Sequence, residues 1–362
     1  MMRFHITFLA ICLALLSVSA RAKCVLPVYG AEQVQIDEFA ESGRTARELG
    51  TTAAVDEAFA RVVQRIALNR QEASQLLAEE RAEDYLDFVH IRSENALPKR
   101  YMAELDICFD AARVRTLFQA GGLDFAELPS APVVVLPVFA QPSGVRLWDR
   151  ANSWIAGWAE QTSRHDGLLS FVSLPEGLLT ERQLSENLVY AEDQQVLAVA
   201  ARLAGARQLV WALAEIDYSQ TRPRLLIRAR LFDERGQLVA PLAAEEVVLT
   251  GQQNMGALFS RFQTRITDDL EQRWRRNNLV LQGAAARLVV SADLRGLAQW
   301  HRLQADLAGL PEILRVVPLK LSATQGTVEL QLAGSLSALR TALQLQGWEL
   351  RGRSNGYRLV RM

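Results

Sequence analysis

The chain has 362 residues, 49% of them hydrophobic, with 40 Lys and Arg against 41 Asp and Glu. That length allows two or three domains of the usual ~100–200 residues, each able to bury a core. A formal net charge of -1 leaves no basic field to recruit nucleic acid or anionic lipid, so neither is expected as a partner.

Residues 1–22 predict a cleavable export signal. Arg3 and His5 form a short basic start, residues 8–18 are an apolar run, and Ala20-Arg21-Ala22 puts small residues where signal peptidase reads. The run is shorter than the ~20 residues a spanning helix needs, and no second span follows. Cleavage after Ala22 and a periplasmic location are therefore expected, with no stable transmembrane anchor afterwards. A lipid anchor on Cys24 is disfavoured because Lys23 stands where a small residue is required.

The remainder predicts an α/β (α+β) chain of three small units. The first, 23–128, reads βαββα. A strand over 28–36 precedes a helix over 51–68, in which Val55, Phe59, Val62, Val63 and Ile66 recur at helical spacing. Strands follow over 85–91 and 101–109. In the latter, Tyr101, Ala103, Leu105, Ile107 and Phe109 alternate with Glu104, Asp106 and Cys108, the pattern of a half-buried strand. Asp110 then caps a helix that stops at Gly121-Gly122.

The second unit, 129–282, opens on a nearly continuous apolar run over 133–139, as for a strand covered on both faces. Asp149 is expected to cap a helix carrying Trp154 and Trp158. A strand over 169–174, a helix over 193–203 closed at Gly205, and strands over 208–216, 224–232 and 246–249 come next. A helix over 255–274 carries Phe259, Phe262, Ile266 and Leu270 on one stripe. The order suggests a mixed α/β sandwich. The third unit, 283–362, reads as a ferredoxin-like plait with a final hairpin. It has a strand over 288–291, a helix over 297–307 ended by Gly309 and Pro311, and a strand pair over 313–321 and 327–332. Ser335 caps a helix over 336–345 closed by Gly347, and Asn355-Gly356 turns the last hairpin.

Cys12 leaves with the signal, so Cys24 and Cys108 remain. In an oxidising compartment they can pair, and a βαββα order would set the start of the first strand beside the end of the third. Two free thiols are the alternative at this stage. No histidine pattern marks either as catalytic.

Motifs for chemistry are absent. His90, His165 and His301 fall in different units and lack metal-ligand spacing, and no phosphate-binding, dinucleotide-binding or serine-hydrolase pattern occurs, so no cofactor is expected. Asp268, Asp269 and Glu271 read as a solvated helix face, and Arg273, Arg275 and Arg276 as cations suited to the helix C-terminus. Trp148, Trp154 and Trp158 could form a stacking platform for a sugar or peptide. The i, i+4 spacing of the last two is what core packing needs and favours that reading.

The helix over 54–66, the strand over 101–109, the helix over 114–120, the run over 132–137, Leu147-Trp148-Asp149 and Asn152-Ser153-Trp154 together resemble the bacterial envelope family catalogued as domain of unknown function 2066. The likeness spans about residues 28–275 and implies no activity and no site residues. Ser153 departs from it where a proline would be common, which could loosen the helix start. The middle unit is weakly similar to the N-terminal domain of TolB, the middle domain of FlgT and CsgG, which implies docking of envelope partners. The expectation is a periplasmic, non-catalytic scaffold or adaptor contacting envelope proteins or itself. A ligand-binding module for a peptidoglycan fragment or peptide is one alternative. A hydrolase with an unrecognised site, for example His165 with a carboxylate, is the other.

Overall fold

Alternation in the first unit lets each strand bury one face, and three of them form a sheet. The computed structural model describes residues 24–251, 253–280, 286–310, 312–332, 336–353 and 356–362. The export signal, Pro311, Ser335 and Asn355 lie outside them. Strands β1 (Gly30–Phe39), β2 (Leu86–Leu97) and β3 (Arg100–Phe109) stand in the order β1-β3-β2, both pairs antiparallel. Helix α1 (Gly43–Ile66) packs Phe59, Val62, Val63 and Ile66 into a core shared with Tyr101, Leu105 and Ile107. It starts before its apolar stripe because the Ser42 side chain accepts the Thr45 N–H as a cap. A short helix α2 (Arg70–Leu77) follows, and α3 (Ala111–Ala120) is capped by Asp110 as expected.

The β1–β3 pairing sets Gly30 opposite Cys108, and Cys24 closes a disulfide with Cys108 at a Cα separation of 5.6 Å. That lies within the 4.4–6.8 Å that disulfides span. A Cβ on Gly30 would sit 2.4 Å from the Cys24 sulfur, so the bridge requires glycine there.

The second unit is a sheet between two helical layers. Its strands are β4 (Val133–Gln141), β5 (Gly144–Arg146), β6 (Phe171–Val172), β7 (Gln208–Asp217), β8 (Arg224–Asp233) and β9 (Leu238–Val248). The path runs β5-β4-β7-β8-β9, with β6 also on β4. Helices α4 (Ser153–Ser163) and α8 (Met255–Asn277) cover one face, where Val133, Trp154, Ile227 and Phe262 meet. Helices α5 (Leu178–Gln183), α6 (Glu186–Tyr190) and α7 (Gln194–Ala204) cover the other, over Val134, Leu136, Leu197 and Trp211. β4 is thus buried from both sides, the reason for its unbroken apolar run.

Three expectations are corrected here. Asn152, not Asp149, caps α4, accepting from Trp154 and Ile155; Asp149 accepts from Ala151 in the turn before. The strand expected over 169–174 pairs only at Phe171 and Val172. β9 begins at Leu238, because its half-exposed first part pairs with β8 without presenting an apolar stripe.

The third unit contains β10 (Ala286–Asp293), α9 (Leu297–Ala308), β11 (Ile313–Leu321), β12 (Gln325–Leu332), α10 (Leu336–Leu345), β13 (Trp348–Arg353) and β14 (Gly356–Arg361). The sheet order is β11-β12-β10-β14-β13. β14 runs parallel to β10 and separates it from β13, so the last hairpin widens the plait by one strand. Trp274 of α8 ties the units together. It packs against the cores of all three and donates its indole N–H to the Leu128 carbonyl at 2.7 Å. Among the described residues no helix is long and apolar enough to cross a membrane.

Candidate functional site

β6 and β5 pair with the same side of β4, but at its two ends. β6 covers Val133 and Val134, and β5 covers Phe139, Ala140 and Gln141. Between them, among the described residues, 135–138 have a strand neighbour on the β7 side alone. The Val133 N–H donates to the Ser170 carbonyl on the β6 side. Strand alternation therefore turns the carbonyls of Val135 and Pro137 the same way, into the gap. Pro137 has no N–H to lose there, which suits it to an edge.

A cavity of about 390 Å³ lies against this gap. Val135 and Pro137 of β4, Ile155 and Trp158 of α4, and Trp148 and Leu174 from the flanking loops line it. Arg150 and Glu176, also in the lining, form an exposed ion pair at 2.6 Å. Such a pair contributes little stability and parts readily. β4 supplies the floor because its run is apolar on both faces. α4 supplies the wall because its Trp side chains anchor it over that run.

The tryptophans do not make a stacking platform. Trp154 is fully buried, donates its N–H to the Ala212 carbonyl at 3.2 Å, and meets the Trp158 ring edge-on at 5.7 Å. Trp158 is only 2% exposed. Its indole N–H, though, is buried without an acceptor, and the side chain lines the cavity that half-buried Trp148 also lines. The interrupted edge itself was not anticipated. Pro137, within an otherwise strand-forming run, is the sequence signal that marks one.

The carboxylates of α8 also require correction. Asp268 and Asp269 are solvated, but Glu271 and Arg275 are each 1% exposed and form an ion pair at 3.1 Å. Glu271 accepts the N–H groups of Leu168 and Leu169 and lies 3.0 Å from His165 Nε2. Arg275 donates to the Ala67 carbonyl of the first unit at 3.0 Å. Burial pushes the Glu271 carboxyl up, but the bonds from His165 and Leu168 and the Arg275 charge outweigh it and hold it below the ordinary carboxylate value. A Cβ on Gly167 would sit 2.4 Å from His165 Nε2 and 2.7 Å from a Glu271 oxygen, so only glycine lets this loop close. Next to it, Asp166 pairs with Arg61 and Arg65 of α1, and Arg65 also donates to the Val28 and Gly30 carbonyls. His165 does meet a carboxylate, but that carboxylate is spent on Arg275 and the Leu168 and Leu169 N–H groups, and Arg275 and Asp166 in turn tie the second unit to the first, as in a structural staple. His90 and His301 lie elsewhere, on β2 and α9. Among the described residues no group of three or more His, Cys, Asp or Glu is placed to hold a metal ion.

No known family model matches the chain. No curated protein matches it in sequence either. Parts of the fold resemble solved structures. The hypothetical protein CT253 from Chlamydia trachomatis is 14% identical, with 39% of this chain and 96% of that one covered, at a TM-score of 0.27. A PelC dodecamer from Paraburkholderia phytofirmans is 13% identical, over 51% and 99%, at 0.25. The C-terminal domain of LpoB from Salmonella enterica is 12% identical, over 34% and 85%, at 0.22. TM-scores this low carry no argument about this chain, and the likeness to domain of unknown function 2066 stays a resemblance of residues.

A second polar cluster sets charged groups of the first unit near Glu312 of the third. Tyr29 donates its hydroxyl to Glu127, and Arg115 donates to the same carboxylate at 2.9 Å. Glu312 is fully buried, and neither of its carboxylate oxygens has a partner from another residue; an Arg115 terminal nitrogen is also unpartnered. Burial pushes the Glu312 carboxyl up to about 7; its own backbone N–H opposes this, the Glu127 charge adds to it, and Arg115 opposes it. The folded carboxyl thus holds its proton where the unfolded one, near 4.5, has lost it. Stability from this group is fully present below about pH 4.5 and declines as pH rises through about 7, by on the order of 3 kcal/mol in total. Glu312→Gln is therefore expected to match the parent at pH 4 and exceed it at pH 8 in urea unfolding. Parallel pH profiles would refute the assignment.

Proposed function

We propose that this is an exported, periplasmic adaptor that docks other envelope proteins, or further copies of itself, without turning over a substrate. The observation that carries the reading is the interrupted edge of β4 with an apolar cavity against it. An unpaired strand edge is a template for another chain, and apolar cavities beside one are binding grooves. A second surface points the same way. Outer strand β11 exposes Leu314, Leu319 and Leu321, with Arg315, Pro318 and Lys320 among them to blunt indiscriminate pairing. The Cys24–Cys108 bridge fits an oxidising compartment, as does the export pattern of residues 1–22. The residue likeness to an envelope family adds to this.

A photoreactive amino acid placed in turn at Ala159 beside the cavity, at Leu319 on β11 and at Glu48 on the exposed side of α1 tests the reading in intact cells. Discrete adducts are expected at Ala159 or Leu319 and not at Glu48. Recovery of monomer alone from all three positions would overturn the adaptor reading.

A further inference from the structure

Hydrogen-bonding capacity, shape and charge around the β4 gap specify an occupant. We infer that the groove takes an extended polypeptide segment of a partner protein, added as a short strand to β4, with one apolar side chain in the cavity. This rests on the adaptor reading and deepens it.

Three observations converge on a peptide. First, the gap is four residues long, 135–138, which at ~3.3 Å per residue is about 13 Å of strand. Second, the polar groups facing it are unbalanced. The carbonyls of Val135 and Pro137 turn into the gap, but Pro137 contributes no N–H. The occupant must therefore donate N–H groups at strand spacing. Third, Val135, Ile155, Trp148 and Leu174 line the cavity beside the gap, so the occupant also carries an apolar side chain to it. An extended peptide alternates N–H donors and carbonyl acceptors along one edge and carries side chains to either face. A purely apolar ligand would leave the carbonyls unsatisfied.

The cavity has ample room for the side chain. Its volume of about 390 Å³ exceeds that of a leucine or phenylalanine side chain, and Val135, Ile155, Trp148 and Leu174 offer such a group apolar contact. The rim carries Arg150 and Glu176 as a surface pair, so charges of either sign are tolerated in the flanking residues. This is strand addition with pocket selection, in which main-chain bonds give affinity and the pocket gives preference.

The probe is an end-capped peptide of alternating threonine and leucine with a lysine at each end, titrated calorimetrically into the full mature protein. A second peptide of the same sequence carries N-methyl groups on alternate amides. The unmodified peptide is expected to bind, and the N-methylated one at least tenfold more weakly, because its donors on one edge are gone. Ala159→Phe projects into the groove from an exposed position on α4 and is expected to reduce binding at least tenfold with an unchanged fold by circular dichroism. Equal binding of both peptides, or binding unaffected by Ala159→Phe, overturns the inference, since apolar partitioning would then suffice. No binding of the unmodified peptide also overturns it. If crosslinked partners were still recovered in cells, the adaptor reading would stand without this occupant.

Discussion

Replacing Cys24 and Cys108 together by serine is expected to lower stability by ~4–5 kcal/mol. The bridge spans 84 residues of sequence. Loop-closure entropy for a loop of that size predicts ~4.6 kcal/mol, and native bridges in exported domains typically contribute ~2–5. The bridge also anchors the start of the described chain beside the end of β3, next to the core residues Tyr29 and Ile107. The loss should therefore fall mainly on the first unit. Urea unfolding followed by circular dichroism, with and without reductant, measures it. The reductant should shift the parent's midpoint and leave the double variant's unchanged. Alkylation of native protein should find Cys24 and Cys108 blocked. Free thiols with no midpoint shift would refute the bridge.

Glu271→Ala is expected to cost about 3–5 kcal/mol, the usual penalty for leaving one member of a buried ion pair behind. Arg275 would remain buried with its carboxylate gone, and the Leu168 and Leu169 N–H groups would lose their acceptor. Because Arg275 reaches Ala67, the damage should loosen the first unit from the second. Limited proteolysis across residues 126–131 would report that. Replacing the pair together, as Glu271→Leu with Arg275→Met, should cost less than Glu271→Ala alone, since no uncompensated charge stays buried. If the double variant were the less stable, the pair would be contributing more than mutual neutralisation. The pH dependence has the opposite sign to that of Glu312. Glu271 is held below its ordinary value, so its stabilisation is present above about pH 4.5 and lost as pH falls through the folded value.

Much of the architecture was legible from local pattern. Tyr101, Ala103, Leu105, Ile107 and Phe109 alternate because β3 has one buried face. β4 reads as continuously apolar because helices cover it from both sides. Strand order made the disulfide possible but left two free thiols open until the structure paired Cys24 with Cys108. Where reading failed, the cause was chemistry supplied from a distance. Glu271 and Arg275 sit four residues apart on a helix whose own stripe is Phe259, Phe262, Ile266 and Leu270, so nothing local distinguishes them from Asp268 or Arg276. Their burial comes from Leu168 and Ala67, which lie more than 100 residues earlier in the chain.

By itself the amino-acid sequence determined the α/β build, the core stripes and the strand that carries Cys108, because each depends on the order and periodicity of neighbouring residues. Only the tertiary structure decided that the cysteines meet, that Glu271 and Glu312 are buried, and that β4 is left uncovered over 135–138. That gap exists because β6 peels away after Val172 and β5 begins only at Gly144, and where two strands stop against a third is settled by packing across the whole sheet.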